Sequence, residues 1–352
     1  MTCLAQYGAL PSGCAPFYRR KSILITKPHY YDSFRCIAGS CPDSCCKEWD
    51  VQVDDVSAAY YRSLPGALGE DLRRLMHEED GETVMTIQNG RCPMWRTDGL
   101  CRIQAELGEE ALCKTCREFP RLTHDYGDFV EKMLELSCPE AARILLSAPD
   151  LPPVTVEVPG GEEPDYDEEA MAVLKATRNR ALALLADTSR DIPATLASLF
   201  LFGCQAQSEL DGAEEASFDA ASALESAGEF AKITPVSALL SPFFDLEILT
   251  EEWKNRLSSP EEGEWQEGYR ALARYFVERY WLQAVSDYDL YCRVKFMVIS
   301  CLVIHALGGD FVRTAQLYAK EIENSTENVE ALLDAAYTNP AFTDDRLLGW
   351  LL

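Results

Sequence analysis

The chain has 352 residues, 47% hydrophobic and 26% charged, so it is long enough for two or three domains with real cores and is not a disordered chain. Its formal net charge of −26 argues against nucleic acid and against an anionic membrane surface as partners, because both favour basic proteins. Most of the acidity lies after residue 150, where it either keeps the surface solvated or steers a basic group such as lysine.

The first 22 residues are predicted to be an N-terminal extension and not a secretion signal. They contain no continuous apolar stretch of about seven residues, and their basic cluster follows the mildly apolar stretch instead of preceding it. The longest apolar run, near residues 296–304, is about half as long as a membrane span and therefore predicts a buried helix. The expected location is the cytoplasm, without membrane association.

Residues 23–148 are predicted to form a cysteine-rich metal-cluster domain with short strands and local helices. One helical stretch is expected at 54–79, and the segment "TVMTIQNGR" is typical of a strand that enters a turn. Further helices are expected at about 99–112 and 129–147. These elements are short, so we expect the cysteines to staple this part of the chain together.

The remainder of the chain is predicted to be a linker followed by a helical domain. Residues 149–168 are rich in Pro, Gly and acidic residues, which favours an extended linker with room for one short strand. Residues 169–352 show helical patterns almost throughout, with Asp191 as a helix cap and Pro193 in the first turn of that helix. The sequence therefore predicts a mainly α protein, with a small cysteine-rich module before an all-helical domain.

Nine of the fourteen cysteines lie between Cys36 and Cys138. The first cluster has the spacing C-x4-C-x3-C-C and the second has C-x8-C-x11-C-x2-C. A thiolate site needs about four converging sulfurs, and this spacing suits zinc and an iron–sulfur cluster equally well. Because neighbouring side chains on an extended backbone point apart, Cys45 and Cys46 are expected to face different partners.

Two alternatives to metal binding are weaker. Packed reduced thiols are hard to reconcile with nine cysteines in about a hundred residues. A redox dithiol at Cys113 and Cys116 lacks the strand-to-helix context of thioredoxin. If the cysteines are ligands, at least four sulfurs from both clusters should converge on one point. Cys204, Cys292 and Cys301 lie in apolar helical patterns and are expected in the core.

Several motifs resemble one known family closely. The segments "CPDSCCKEW", "LCRIQAELGE", "TCREFPR" and "SCPEAAR" are similar to the flagellin lysine N-methylases, within a wider group of proteins that share a CxxCxxCC-type metal-chelating domain. The resemblance covers about residues 23–146. It implies S-adenosylmethionine-dependent methylation of lysine side chains, flagellin as the protein substrate, and an iron–sulfur cluster, expected as 4Fe-4S.

The motifs also imply the ligands of that cluster. They are Cys36, Cys41, Cys45, Cys46, Cys92, Cys101, Cys116 and Cys138. Cys113 stands where a serine is expected in this family and is left out of the set. Eight thiols exceed the four that one [4Fe–4S] cluster needs, so either two metal sites exist or half of the thiols support the fold.

Methyl transfer requires a neutral lysine amine in line with the sulfonium carbon and sulfur. No G-x-G-x-x-G motif follows a strand, so the methyl donor is expected in the cleft between the two domains and not in a doubly wound fold. Arg117 and Arg121 could hold its methionine carboxylate or pair with the acidic second domain. Candidates for orienting the amine are Asp125, Tyr126, Glu131 and Glu135.

Other functions stay open at this point. A non-catalytic iron- or zinc-binding module with a helical interaction domain would have the same cysteines, and so would an electron-transfer or redox-sensing protein. Broad visible absorption would indicate iron–sulfur and not zinc. Binding of S-adenosylmethionine would separate the enzyme from the module.

Overall fold

The computed structural model describes residues 22–79 and 81–352, so nearly all of the predicted N-terminal extension, with Cys3 and Cys14, lies outside the described residues. Within the described part, all strands occur before residue 160 and every later element is a helix. The prediction of a mainly α fold, with strands limited to the first part of the chain, is therefore confirmed.

The strands form two small sheets. They are β1 Ser22–Lys27, β2 Val51–Gln52, β3 Met76–Glu79, β4 Glu82–Met85, β5 Arg121–Asp125, β6 Phe129–Leu134 and β7 Val154–Pro159. One sheet has the order β5-β6-β1-β7 and the other β2-β4-β3. Strand β1 is parallel to β6, with Leu24 beside Phe129, and antiparallel to β7, with Leu24 opposite Glu157. The larger sheet thus joins three distant stretches of the chain.

Five short helices lie among these strands. They are α1 Asp55–Ser63, α2 Gly66–Leu75, α3 Arg102–Leu107, α4 Lys114–Glu118 and α5 Pro139–Ser147. The Asp54 carboxylate caps α1 by accepting from the Ser57 backbone N–H at 3.0 Å, and it also accepts from the Lys114 N–H at 2.7 Å. One side chain therefore ties the start of α1 to the start of α4.

The second part of the chain is a helical assembly around a buried central helix. Its helices are α6 Glu168–Ala186, α7 Ile192–Leu210, α8 Ala220–Gly228, α9 Val236–Leu240, α10 Glu251–Ser258, α11 Gly268–Tyr280, α12 Leu290–Leu307, α13 Phe311–Tyr318, α14 Thr326–Thr338 and α15 Asp344–Leu351. As predicted, Asp191 caps α7 by accepting from the Ala194 N–H. In the described residues α12 alone is long and apolar enough to cross a membrane, and 94% of it is buried inside the protein.

The helix predicted at 129–147 is wrong in its first part. Phe129, Val130, Met133 and Leu134 are buried, a spacing that a helix produces as well as a strand. The turn at Gly127, with a φ of 89°, returns β6 along β5, and β1 pairs with the other side of β6. Pairing with a strand about a hundred residues away therefore overrides the local pattern.

The predicted linker contains one short strand, for which the sequence left room. All six residues of β7, Val154–Pro159, pair with β1 at the edge of the larger sheet. The proline- and acid-rich residues thus flank a strand, which fixes the connection between the cysteine-bearing part and α6.

Buried apolar side chains fall into three clusters. The largest joins most of the helical part to β6 and α5, through Met133 and Leu145 among others. A second lies within the cysteine-bearing part and contains Tyr61 and Leu72 together with five cysteines. A third, small cluster contains Phe34 and Cys138. Five cysteines therefore pack in the second cluster, whereas Cys138 alone belongs to the third.

Candidate functional site

Cys45 and Cys46 lie in a turn, five residues before β2 begins. The Cys45 thiol donates a hydrogen bond to Cys46, which raises the pKa of Cys45 and lowers that of Cys46. Beyond this bond the two residues differ in their neighbours. Cys36 and Cys138 add to the increase in the pKa of Cys45, whereas Cys46 packs in the second core near Cys92. The two thiols also share a neighbour, because both contribute to the raised pKa of Cys116, so the expectation that they face different partners stays a prediction.

The first thiol set comprises Cys36, Cys41, Cys45 and Cys138. Burial raises the pKa of Cys138 to about 11, and the thiols of Cys41 and Cys36 contribute to the increase. Cys41 donates to the backbone carbonyl of Asp43 at 3.2 Å. This set combines three cysteines of the first sequence cluster with the distant cysteine that precedes α5.

The second thiol set comprises Cys46, Cys92, Cys101, Cys113 and Cys116. Burial raises the pKa of Cys92 to about 12, and Cys46 and Cys101 contribute. Cys116 donates a hydrogen bond to Cys113, which lowers the pKa of the Cys113 thiol. Cys113 is buried beside the other four cysteines of this set, although the family resemblance left it out of the expected ligands.

In the described ranges, 22–79 and 81–352, no three side chains of His, Cys, Asp or Glu come together in a group able to hold a metal ion. The convergence of four sulfurs on one point and the eight-cysteine ligand set both stay predictions. All cysteines in these ranges are free thiols. As expected, Cys292 and Cys301 are buried in α12, and Cys204 is half-buried against the same core.

Asp43, between Cys41 and Cys45, anchors the first cysteine cluster to the helical part. Its carboxylate accepts from Arg313 at 3.0 Å, Gln316 at 3.2 Å and Lys320 at 2.9 Å. Burial acts to raise the pKa of Asp43, but the Lys320 ammonium and the hydrogen bonds outweigh it and hold the pKa below its ordinary value.

Lys320 is the central cation of this anchor. It is almost fully buried in a π-helical turn, Ala319–Glu323, that follows α13. It also forms an ion pair with Glu48 and lies 5.6 Å from the ring centre of Trp49. We define the anchor as Asp43, Glu48, Arg313, Gln316 and Lys320. Sequence reasoning missed it, because no local pattern connects residue 43 with residues 313–320.

The two arginines proposed to hold the methyl donor lie on different elements. Arg117 is exposed on α4, with one guanidinium nitrogen 3.4 Å from the carbonyl of Leu112. Arg121 starts β5 and lies 5.1 Å from the ring centre of Phe34. Neither forms an ion pair with a described residue, so the alternative of pairing with the acidic second domain is not seen among those residues.

Two of the four candidates for orienting the amine lie in one cleft of about 800 Å³, which we call the acidic cleft. Its polar walls contain carboxylates and tyrosines from three parts of the chain, namely Asp125, Glu162, Glu163, Asp165, Tyr126, Tyr166 and Tyr288. Tyr126 stacks on Phe129 with ring centres 4.6 Å apart. Tyr166 and Tyr288 were not singled out in the sequence, where single tyrosines in loops give no signal.

The other two candidates lie elsewhere. Glu131 forms a two-pronged ion pair with Arg178, at 2.7 and 2.6 Å. Glu135 follows β6, next to a buried network in which Arg279 and two tyrosines surround Glu323. The structure therefore separates Glu131 and Glu135 from Asp125 and Tyr126.

A second cavity, of about 340 Å³, lies where the loop after β1 and the chain after α5 meet α6 and α11. We call it the interdomain cavity. Tyr30, Arg274 and Glu278 provide polar groups in its wall. The expected location of the methyl donor, in a cleft between the two predicted domains, stays a prediction.

Comparison with known proteins identifies relatives in Salmonella. The chain is 34% identical over 137 residues to the flagellar biosynthetic protein FliU of Salmonella muenchen, a match that covers 37% of this chain and 81% of that protein. The same identity and length relate it to the lysine-N-methylases of Salmonella typhimurium and Salmonella choleraesuis. In those two proteins the match spans 34% of their length.

No family model and no solved structure matches the chain. Most of FliU is nevertheless covered, at an identity that indicates common descent, and the motifs around the cysteines are similar to the same group of proteins. The chain therefore belongs to the flagellin lysine N-methylase family.

Proposed function

We propose that this protein transfers methyl groups from S-adenosylmethionine to lysine side chains of flagellin. The observation that supports this most directly is its similarity to proteins named lysine-N-methylase and flagellar biosynthetic protein FliU. Burial of α12 in the core supports a cytoplasmic location, which is part of the proposal.

An iron–sulfur cluster is the second part of the proposal. The donor chemistry fits, because soft thiolates are the ligands that such clusters require and each thiol set contains at least four cysteines. A cluster would have to draw these cysteines together, since none of the described residues already form a group able to hold a metal ion. Cys36, Cys41, Cys45 and Cys138 would hold a cluster in the first set, and the second set would supply Cys46 with Cys92, Cys101 and Cys116. A bound cluster would supply redox or structural chemistry at this part of the chain.

The acidic cleft supports the binding of a basic protein segment. Carboxylates attract lysine ammonium groups, and tyrosine rings stabilise cations that lie over their faces. We propose Asp125 and Tyr126 as the groups that orient the lysine, in preference to Glu131, whose carboxylate is engaged by Arg178. In-line transfer requires the amine to lie about 3–3.5 Å from the methyl carbon. The acidic cleft and the interdomain cavity share no lining residue, so the lysine or the methyl donor must extend from its own site toward the other.

For the methyl donor we propose the interdomain cavity or its rim. Arg117 and Arg121 stay candidates for its carboxylate, since neither has an ion pair among the described residues. Neither arginine lines the interdomain cavity, so this role requires the donor to extend beyond the cavity wall. Methyl transfer breaks the sulfur–methyl bond and forms a nitrogen–methyl bond. The sulfur leaves with the bonding electron pair, and the amine uses its lone pair, so its proton must be lost first.

We expect the protein, purified without oxygen, to transfer label from methyl-labelled S-adenosylmethionine to flagellin. Mass spectrometry of the digested flagellin should place the added methyl groups on lysine. A matched reaction with flagellin whose lysines are acetylated should take up no label. A protein that binds iron but leaves flagellin unmodified would instead be the non-catalytic metal-binding module.

Serine in place of Cys36, Cys41, Cys45 or Cys46 preserves volume but weakens a soft-metal ligand. We expect at least two of these four variants to lose both bound iron and methyl transfer. Cys204→Ser, which changes a thiol of α7 outside both thiol sets, should lose neither.

Iron per chain and label on flagellin are measured on the same preparations of each variant. Full iron and full transfer in all four variants would refute the ligand assignment. Loss of iron with transfer intact would mean that the cluster supports folding and not the reaction.

A further inference from the structure

The interdomain cavity contains a carboxylate without a counter-ion. Glu278 lies in its wall, and no described residue forms a hydrogen bond or an ion pair with that carboxylate. The nearby cations are already engaged. Arg274 forms an ion pair with Asp150, and Arg178 forms its two-pronged pair with Glu131.

This environment is unfavourable for an isolated negative charge. Burial raises the pKa of Glu278 to about 7, even though Arg274 and Arg178 act in the opposite direction. Glu278 is half-buried in the cavity wall, and such a carboxylate is stabilised when a cation with hydrogen-bond donors is placed against it. The cavity has space for such a group, because its volume of about 340 Å³ exceeds that of a single side chain.

The walls of the cavity indicate which kind of cation would fit. Leu145 and Leu185 contribute apolar surface, which suits an alkyl chain. Tyr30 also lies in the wall, close enough to Glu278 for that carboxylate to raise the pKa of the Tyr30 hydroxyl. A divalent metal ion needs several free oxygen ligands, whereas the carboxylates close to Glu278, Glu131 and Asp150, are already paired with arginines. An anion would be repelled by Glu278. A monovalent cation on an aliphatic stem satisfies both the charge and the apolar walls.

We propose that the interdomain cavity binds a primary ammonium group on an aliphatic chain, and that Glu278 is the carboxylate that accepts its hydrogen bonds. This proposal rests on the proposed function for the choice of ligand. Two molecules of that reaction have such a group: the lysine side chain of the protein substrate and the methionine moiety of the methyl donor.

The test uses the full chain and the substitution Glu278→Gln, which keeps shape and removes charge. The probes are N-acetyl-lysine methylamide, its norleucine analogue without the amine, and S-adenosylhomocysteine. Titration calorimetry at about pH 8 keeps Glu278 ionised and lysine protonated. The matched control is Glu267→Gln, since Glu267 lines the same cavity but is 77% exposed and paired with Arg270.

We expect Glu278→Gln to weaken at least one amine-bearing probe about tenfold or more, with the norleucine analogue bound weakly by every variant. If the variant loses affinity for the lysine probe, the cavity binds the substrate side chain. If it loses affinity for S-adenosylhomocysteine, the cavity binds the methyl donor. Glu267→Gln should change neither affinity. Unchanged affinities in Glu278→Gln, or no binding of either amine probe to the wild type, would overturn the proposal.

A second variant covers the case in which Glu278→Gln does not fold. Ala271→Leu narrows the same cavity without changing charge, and it should weaken the same probe. The two proposals also fail separately. Binding through Glu278 without methyl transfer would leave the ammonium site standing and refute the proposed function. Methyl transfer by the wild type, together with unchanged probe affinities in Glu278→Gln, would support the proposed function and refute the ammonium site.

Discussion

Lys320→Met is expected to lower the free energy of unfolding by about 3 kcal/mol, because removing one partner of a buried ion pair leaves the other charge without compensation. Lys320 is almost fully buried and holds Asp43 at 2.9 Å together with Glu48. Methionine keeps the length of the side chain and removes its charge. Urea unfolding of the purified variant measures the loss.

A control variant and a double-mutant cycle show whether the loss comes from this ion pair. Lys254→Met removes an exposed lysine of α10, and its effect should stay within about 0.5 kcal/mol. The double variant Lys320→Met/Asp43→Asn should lose less than the sum of the two single variants, since the two side chains contact each other. A wild-type unfolding curve for Lys320→Met would show that the anchor does not hold the cysteine loop.

Arg279→Met is expected to lower the free energy of unfolding by about 3 kcal/mol, because it also leaves a buried charge without its partner. The Arg279 guanidinium lies 3.4 Å from the buried carboxylate of Glu323 and donates to the Tyr275 hydroxyl at 2.6 Å. Without it, Glu323 keeps only hydrogen bonds from Tyr275 and Tyr280. This network lies where the end of β6 meets α11, because the Leu136 N–H points to the Tyr275 hydroxyl at 3.5 Å.

The loss caused by Arg279→Met should grow with pH. Burial already raises the pKa of Glu323, and removal of Arg279 raises it further. A carboxylate whose pKa is higher in the folded state stabilises that state at low pH, and the contribution disappears as pH rises through the folded value. Urea unfolding at about pH 5 and pH 8 tests this. Glu323→Gln in the Arg279→Met background should remove the pH dependence, and an equal loss at both pH values would contradict the explanation.

Local features of the sequence determined the fold class and several elements. The apolar residues of α12 predict a buried helix because they are apolar on every side, and Asp191 with Pro193 predicts the start of α7 because capping acts within one turn. The cysteine spacings and neighbouring motifs were sufficient to indicate the family. These signals depend on residues that are close in the chain, so they could be read without a structure.

Contacts between distant residues were decided by the tertiary structure alone. The pairing of β1 with β6 and β7 made a strand of Phe129–Leu134 and ordered the predicted linker. The packing of five cysteines in one core, the acidic cleft, and the position of Glu278, unpaired among the described residues, likewise depend on which segments pack together. Asp43 and Lys320 are 277 residues apart, and no local periodicity records such a contact, because the energy that selects it is gained only when both side chains are buried together.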